Sequence, residues 1–463
     1  MSAQKKIGST ICRNFRVLAN DESGSAAILV ALSFVALSGF VGLSIDTART
    51  QLVQSRLSTA VDAAGLAAGS TVSTANVETE FNKYLSANFP AHYLDASITS
   101  SSIAVNSDKT VLTMTASATV PTIFMRIFNI NNVTVSVQSE ITRAVNGLEL
   151  VMVLDNTGSM AGSKLSSLKN AANLLVDILY GGKESVDDLW IGLVPFAQSV
   201  NIGSSRTAWL DGTHYAGLNW GPTSWMGCVM ARTASNRDTT DDPPSVAPFN
   251  AYYWADSSGN DWINGWDGSY NTPLGTDNGP NKYCSQEMKP LTASKTAIVN
   301  AINTMQATGN THVNYGAVWG WRMLSPRWRG LWGGEMDANG LPLDYNAPNM
   351  NKAAVIMTDG ENTMSSSVFT AYGWLSQGLL GTTSSSTAVT KLNQRLTTVC
   401  NAMKSKNIQV YTIAFGNPGT SIKNLLKSCA TQSDYYFNSP TETELNDAFR
   451  AIGDSLSNLR VSK

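Results

Sequence analysis

The sequence predicts an α/β fold, a doubly wound, mostly parallel sheet with long insertions, preceded by a transmembrane helix and a small α+β module. Three observations predict it. An uncharged run of 23 residues stands near the N-terminus, about 50 residues ahead of residue 147 read as β-rich with a period of two over 133–141, and from residue 147 apolar runs alternate with helical patterns.

Residues 23–45, SGSAAILVALSFVALSGFVGLSI, contain no charged residue. At a rise of about 1.5 Å per residue they cover the roughly 30 Å hydrocarbon core of a bilayer. Lys5, Lys6, Arg13 and Arg16 precede the run, with no acid among the first 20 residues. Positive flanks stay cytoplasmic, so residues 1–22 are expected inside and 418 residues are expected to be exported. A cleaved signal peptide has an apolar run of only about 7–15 residues. Here the helical spacing continues beyond the span, through Val53, Leu57, Ala60, Val61, Ala64 and Ala68. An uncleaved signal-anchor is the expectation.

Residues 46–146 read as a helical stalk followed by a small β-rich module. One or two helices fill 47–88 and stop before Pro90. After the turn Asn106-Ser107-Asp108-Lys109, residues 110–120 are rich in Thr and Val. In 133–141, Val133, Val135, Val137 and Ile141 share one face and Thr134, Ser136, Gln138 and Glu140 the other, as in a half-buried strand.

Residues 147–463 read as the main domain. Apolar runs at 148–154, 190–196, 353–357 and 408–415 alternate with helical patterns near 163–180, 292–306, 312–324, 388–406 and 441–459. Continuous apolar strands imply a parallel sheet covered on both faces. Residues 204–290 and 326–350 interrupt the pattern. Rich in Gly, Asn, Asp and Pro, they hold most of the 12 tryptophans and read as insertions on the rim of the sheet.

Composition narrows the function. A net charge of −2 excludes a broad electrostatic footprint for nucleic acid. Only 14% of residues are charged, and the expected exported part, with 28 basic and 32 acidic residues, is as sparse as the whole. Three histidines, His92, His214 and His312, leave little for acid–base chemistry, and no Ser/His/Asp set or phosphate-binding glycine loop stands out. An enzyme is not expected.

The first apolar strand runs into Asp155-Asn156-Thr157-Gly158-Ser159-Met160 and then a helix. Ligands of open α/β sheets bind outside the carboxyl ends of the strands. One carboxylate and two hydroxyls at alternate positions there are hard oxygen donors, suited to Mg²⁺. Thr311 lies in Gly309-Asn310-Thr311 between two helical patterns, and Asp359-Gly360 ends the strand AAVIMT. Each reaches toward the same crevice. His312 reads as a neighbour of this loop rather than a base. Asp256, Asn260, Asp261, Asn264 and Asp267 fit no EF-hand spacing and read as a solvated loop. Trp209, Trp220, Trp225, Trp254, Trp262 and Trp266 read as packing of the insertion, with sugar or partner binding the alternative.

This set resembles the metal-ion-dependent adhesion site of von Willebrand factor type A domains, whose pattern is Asp-x-Ser-x-Ser, a loop threonine, and an Asp after the fourth strand. Thr157 replaces the first serine and keeps its hydroxyl. The resemblance implies Mg²⁺ (or Mn²⁺) on Thr157, Ser159 and Thr311. It also implies that Asp155 and Asp359 act partly through water and hydrogen bonds, and that a partner's carboxylate completes the shell.

The N-terminal run, with Gly24, the apolar span, Asp46, Arg49 and the Ala-rich Asp62-Ala63-Ala64 helix, resembles TadG-like proteins of the tight-adherence (Flp) pilus machinery. That resemblance implies a bacterial inner-membrane protein with a periplasmic main domain. It would bind other pilus-assembly or secretion-system proteins and support adhesion. A surface adhesin for host or matrix ligands and, less favoured, an enzyme subunit are the alternatives. The four exported cysteines should be oxidised, and they allow three connectivities. Closeness in sequence favours Cys228 with Cys284 and Cys400 with Cys429, while Cys12 stays reduced.

Overall fold

The computed structural model describes residues 23–69, 77–106, 111–142 and 144–462. The expected tail 1–22, with its basic residues and Cys12, lies outside the described residues, as do 107–109 of the expected turn and 110 at the start of the stretch after it. The chain divides into two units, residues 1–143 and 144–463.

In the first unit, helix α1 runs from Ser23 to Gly69 without a break, and α2 covers Val77–Asn88. Strands β1 (Ser97–Val105), β2 (Val111–Pro121) and β3 (Asn132–Thr142) form an antiparallel sheet in that order. The two halves of α1 have opposite surroundings. Between Ile28 and Phe40 the large apolar side chains are 62–70% exposed. This is a helix long and apolar enough to cross a membrane. Further on, Val53, Leu57, Val61, Ala64 and Ala68 are buried against Leu112, Met114, Ala116 and Ala118 of β2, with Phe81 and Leu85 of α2. The small residues on this stripe let helix and sheet approach closely. β1 was not expected from sequence, because SITSSSIAV buries no side chain completely and lacks an apolar stripe.

The second unit holds a six-stranded sheet. Its strands are β4 (Gly147–Asp155), β5 (Leu189–Phe196), β6 (Lys289–Thr292), β7 (Met350–Thr358), β8 (Gln409–Phe415) and β9 (Tyr436–Ser439). Their spatial order is β9-β8-β7-β4-β5-β6, parallel except for β6, which pairs antiparallel with β5 at one edge. Alternate residues serve opposite faces. Leu148, Leu150, Met152 and Leu154 pack against α3 (Ser163–Tyr180), α4 (Lys295–Asn303) and α8 (Glu442–Arg460). Val151 and Val153 face α5 (Val313–Leu324) and α6 (Ser385–Ser405). This double cover is why β4, β5, β7 and β8 read as continuous apolar runs.

Every residue of α5 is buried. A Cβ on Gly316 would stand 2.6 Å from the Phe196 ring, and one on Gly320 2.5 Å from Val153 Cγ2, so both glycines let the helix lie directly on the sheet. Its outer side is covered by the insertions. Trp209 packs edge-on against Trp328 and Trp332, with ring centroids 5.2 and 5.3 Å apart, and lies parallel to Trp319 at 6.5 Å. The tryptophans are thus mainly packing, although Trp266 is exposed. Arg322, buried on α5, donates to the carbonyls of Thr240 and Arg237 and lies over the Trp319 ring.

Both favoured disulfides are present, Cys228–Cys284 within the first insertion and Cys400–Cys429 joining α6 to α7 (Thr420–Cys429). Helix α7 and edge strand β9 were not expected, nor was a third irregular excursion between β7 and α6. That excursion is anchored by an Ala371 N–H to the Gln198 carbonyl and by buried Tyr372 and Leu375.

Candidate metal centre

β4 lies between β5 on one side and β7 on the other, so the winding of the chain reverses at the β4/β7 pair. The crevice outside the carboxyl ends of these strands is where this topology places a ligand. Asp155 closes β4, and a 3₁₀ turn over Gly158–Met160 leads into α3. The Asp155 carboxylate is fully buried, accepting the Thr157 N–H at 2.9 Å and the Thr358 hydroxyl at 2.6 Å. The Thr157 and Ser159 hydroxyls are 3.0 Å apart. Ser159 Oγ donates to Asp359 Oδ1 at 2.6 Å. The first and third motif pieces, 200 residues apart, therefore meet directly.

The second piece arrives on a loop clamped from several directions. Gly158 N–H donates to the Gly309 carbonyl at 3.0 Å, and Thr308 N–H to the Asn156 carbonyl at 2.8 Å. Gln198 Oε1 accepts the Asn310 N–H at 2.9 Å. Thr311 exchanges bonds with Thr363, its N–H donating to Oγ1 and its carbonyl accepting the Thr363 N–H. Its hydroxyl lies 4.0 Å from where a Cβ on Gly360 would stand, beside the Asp359 loop. His312 is buried, which pushes it down to about 4 and keeps it neutral near pH 7, against the opposing pull of its Nε2 bond to the Thr363 carbonyl at 2.9 Å. Through Nε2 it latches two loops together.

The electrostatics favour a cation. Burial pushes Asp155 up, the neighbouring Asp359 charge pushes it further, and hydrogen bonds from Thr157 and Thr358 hold it to about 6. Asp155 and Asp359 thus face each other in the crevice, and Lys164 Nζ stands 2.6 Å from Asp359 Oδ2. The crevice is lined with carboxylate and hydroxyl oxygens. Two carboxylates and three hydroxyls form a donor set that fits a hard divalent ion. Among the described residues no three His, Cys, Asp or Glu side chains cluster, so a cation held here would have to draw on hydroxyls as well.

Sequence reasoning missed Lys164, Thr358, Thr363 and Gln198. Thr358 stands one residue before Asp359 and was within reach, whereas the others meet the motif only through the fold. The acidic stretch 256–267 forms local turns. Asp256 Oδ1 accepts the N–H groups of Trp262 and Ile263, and Asp267 Oδ1 that of Ser269.

Residues 24–71 match the model of a family described as "Putative Flp pilus-assembly TadE/G-like". No relative was found among curated proteins. Solved structures retrieved include the von Willebrand factor domain of the type V pili tip protein Mfa5 from Porphyromonas gingivalis. It is 12% identical with a TM-score of 0.36, over 69% of this chain and 97% of that one. The pilus adhesin SpaC of Lactobacillus rhamnosus GG is 10% identical with a TM-score of 0.36, over 79% of this chain and 35% of that one. Proximal thread matrix protein 1 of the mussel byssus, with a zinc-occupied MIDAS motif, is 13% identical with a TM-score of 0.32, over 66% of this chain and 47% of that one. The chain is thus similar over residues 24–71 to the Flp pilus-assembly TadE/G-like family, and that segment precedes an α/β domain whose retrieved neighbours include the von Willebrand factor domain of one pilus tip protein.

Proposed function

We propose that the protein is a pilus-assembly binding module, held in the bacterial inner membrane by residues 23–45 with its tail cytoplasmic and its α/β domain periplasmic. A divalent cation, Mg²⁺ or Mn²⁺, sits in the Asp155 crevice. Thr157, Ser159 and Thr311 hold it, Asp155 and Asp359 act on it partly through water, and an acidic side chain of another pilus or secretion-system protein completes its shell. The observation that carries this reading is the Ser159–Asp359 hydrogen bond at the β4/β7 switch point, with Asp155 buried beside it. The TadE/G-like segment supports a pilus context. Binding rather than catalysis is the better account, since neutral His312 is committed to the Thr363 carbonyl.

The test is thermal melting of the full chain in detergent micelles with MgCl₂, MnCl₂ or EDTA, alongside capture of pilus proteins from producing cells under the same conditions. Metal should raise the melting temperature and be required for capture. Equal melting and capture in EDTA would sink the reading.

A further inference from the structure

The loop joining β2 to β3, Pro121 to Asn131, has no role in the metal site, and its composition is unusual. It exposes Ile123, Phe124, Ile127, Phe128 and Ile130, with Ile127 at 77% and Phe128 at 67%. The whole second unit exposes only Met226, Val246, Trp266, Tyr270 and Leu379 as large apolar side chains among its described residues. A soluble surface does not concentrate apolar groups this way.

The loop is fixed to α1 where the apolar run ends. Asp46, one residue beyond that run, is buried and accepts the N–H groups of Ile123, Phe124 and Met125 at 2.9, 2.7 and 2.7 Å. Arg49 donates to the Pro121 carbonyl at 3.2 Å. Phe124 lies on Gly42 so closely that a Cβ there would be 2.7 Å from the ring. From this attachment the loop runs back along the apolar half of α1. Phe124, Ile127 and Phe128 share a groove with Phe34, Val35 and Leu43. Nine residues separate Phe34 from Leu43, about 14 Å of helix and close to one leaflet's share of the hydrocarbon core.

The loop's backbone is prepared for a dry setting. Besides the three N–H groups on Asp46, Thr122 donates to Asn131, Ile127 to Phe124, Asn129 to Arg126 and Ile130 to Met125. Arg126 Nε caps the Ile123 carbonyl. Irregular backbone enters a bilayer only where its polar groups are satisfied within the protein.

We propose that residues 121–131 are a second membrane-inserting element, an apolar wedge. It enters the leaflet where α1 leaves the bilayer and occupies the acyl chains beside the anchor. The inference rests on reading residues 23–45 as a membrane span. Continuity of the loop with the exposed apolar surface of α1 selects lipid as its occupant. The wedge fixes the depth and tilt of α1, which a lone helix leaves to the lipid.

The experiment uses the full chain in phosphatidylcholine–phosphatidylglycerol vesicles, with Cys12→Ser as background and single cysteines at Ile127, Phe128, Phe34 and Gln54 carrying an NBD fluorophore. Aqueous iodide and doxyl-labelled lipids are the quenchers. The expected result is lipid quenching and several-fold lower iodide quenching at Ile127 and Phe128, matching Phe34 and unlike water-exposed Gln54. Iodide quenching at Ile127 and Phe128 with Phe34 still lipid-quenched would overturn the wedge and leave the anchor standing. Protection from both quenchers would also overturn it, in favour of a protein partner or second copy on the loop. Iodide access at Phe34 would remove the anchor reading, and the wedge with it.

Discussion

Lys164 Nζ stands 2.6 Å from Asp359 Oδ2, while the other oxygen of that carboxylate accepts the Ser159 hydroxyl. The lysine side chain is 39% exposed and the aspartate side chain fully buried, so the ammonium is a tethered cation that can swing out when another arrives. If the crevice holds a divalent ion as proposed, the ammonium would compete with it for the same oxygen.

Lys164→Ala should therefore tighten Mg²⁺ binding. A partly exposed pair contributes about 0.5–1 kcal/mol, which corresponds to an affinity gain of up to about fivefold. Titration calorimetry on the full chain measures it, and weaker binding in the variant would contradict the competition.

Asp155→Asn should separate metal binding from folding. Asparagine keeps one acceptor oxygen for Thr157 or Thr358 and removes the charge that burial and Asp359 both oppose. In EDTA the melting temperature should hold or rise. The Mg²⁺-induced increase should vanish. A variant that still gains stability from Mg²⁺ would place the ion elsewhere.

Much of this site was legible as sequence because Asp155, Thr157 and Ser159 sit at alternate positions of a turn after an apolar strand, and Asp359 follows another. A strand covered on both faces declares itself through an unbroken run, as β4 and β7 do. β9 has only the four residues YFNS at an edge, and β1 buries no side chain completely, so neither leaves a period to read. Lys164 was hidden for a different reason. Its partner is 195 residues away, and its spacing from Ser159 describes only a helix start.

Gly316→Ala is expected to destabilise the second unit even though alanine favours a helix by about 1 kcal/mol. The added methyl would meet the Phe196 ring at 2.6 Å, and such overpacking costs about 1–3 kcal/mol. Urea unfolding should show the loss. An unchanged midpoint would mean that α5 can lift from the sheet.

Removing the Cys228–Cys284 bridge as a paired serine variant should cost about 4 kcal/mol by loop-closure entropy for its 56-residue separation. Melting of this variant beside the wild type without reductant should show the fall, because the Cys400–Cys429 bridge stays intact in both. An unchanged melting temperature in the variant would show that the insertion holds its shape by the packing of Tyr252, Trp254 and Phe369 alone.

The unbroken course of α1 has a mechanical consequence. Its 47 residues extend about 70 Å. Its second half is welded to the three-stranded sheet, so no swivel separates the sheet from the apolar end of the rod. A sideways load on the sheet reaches that end as leverage rather than being absorbed in a flexible joint. A rod built this way resists bending at its root and passes torque from the sheet straight to its apolar end.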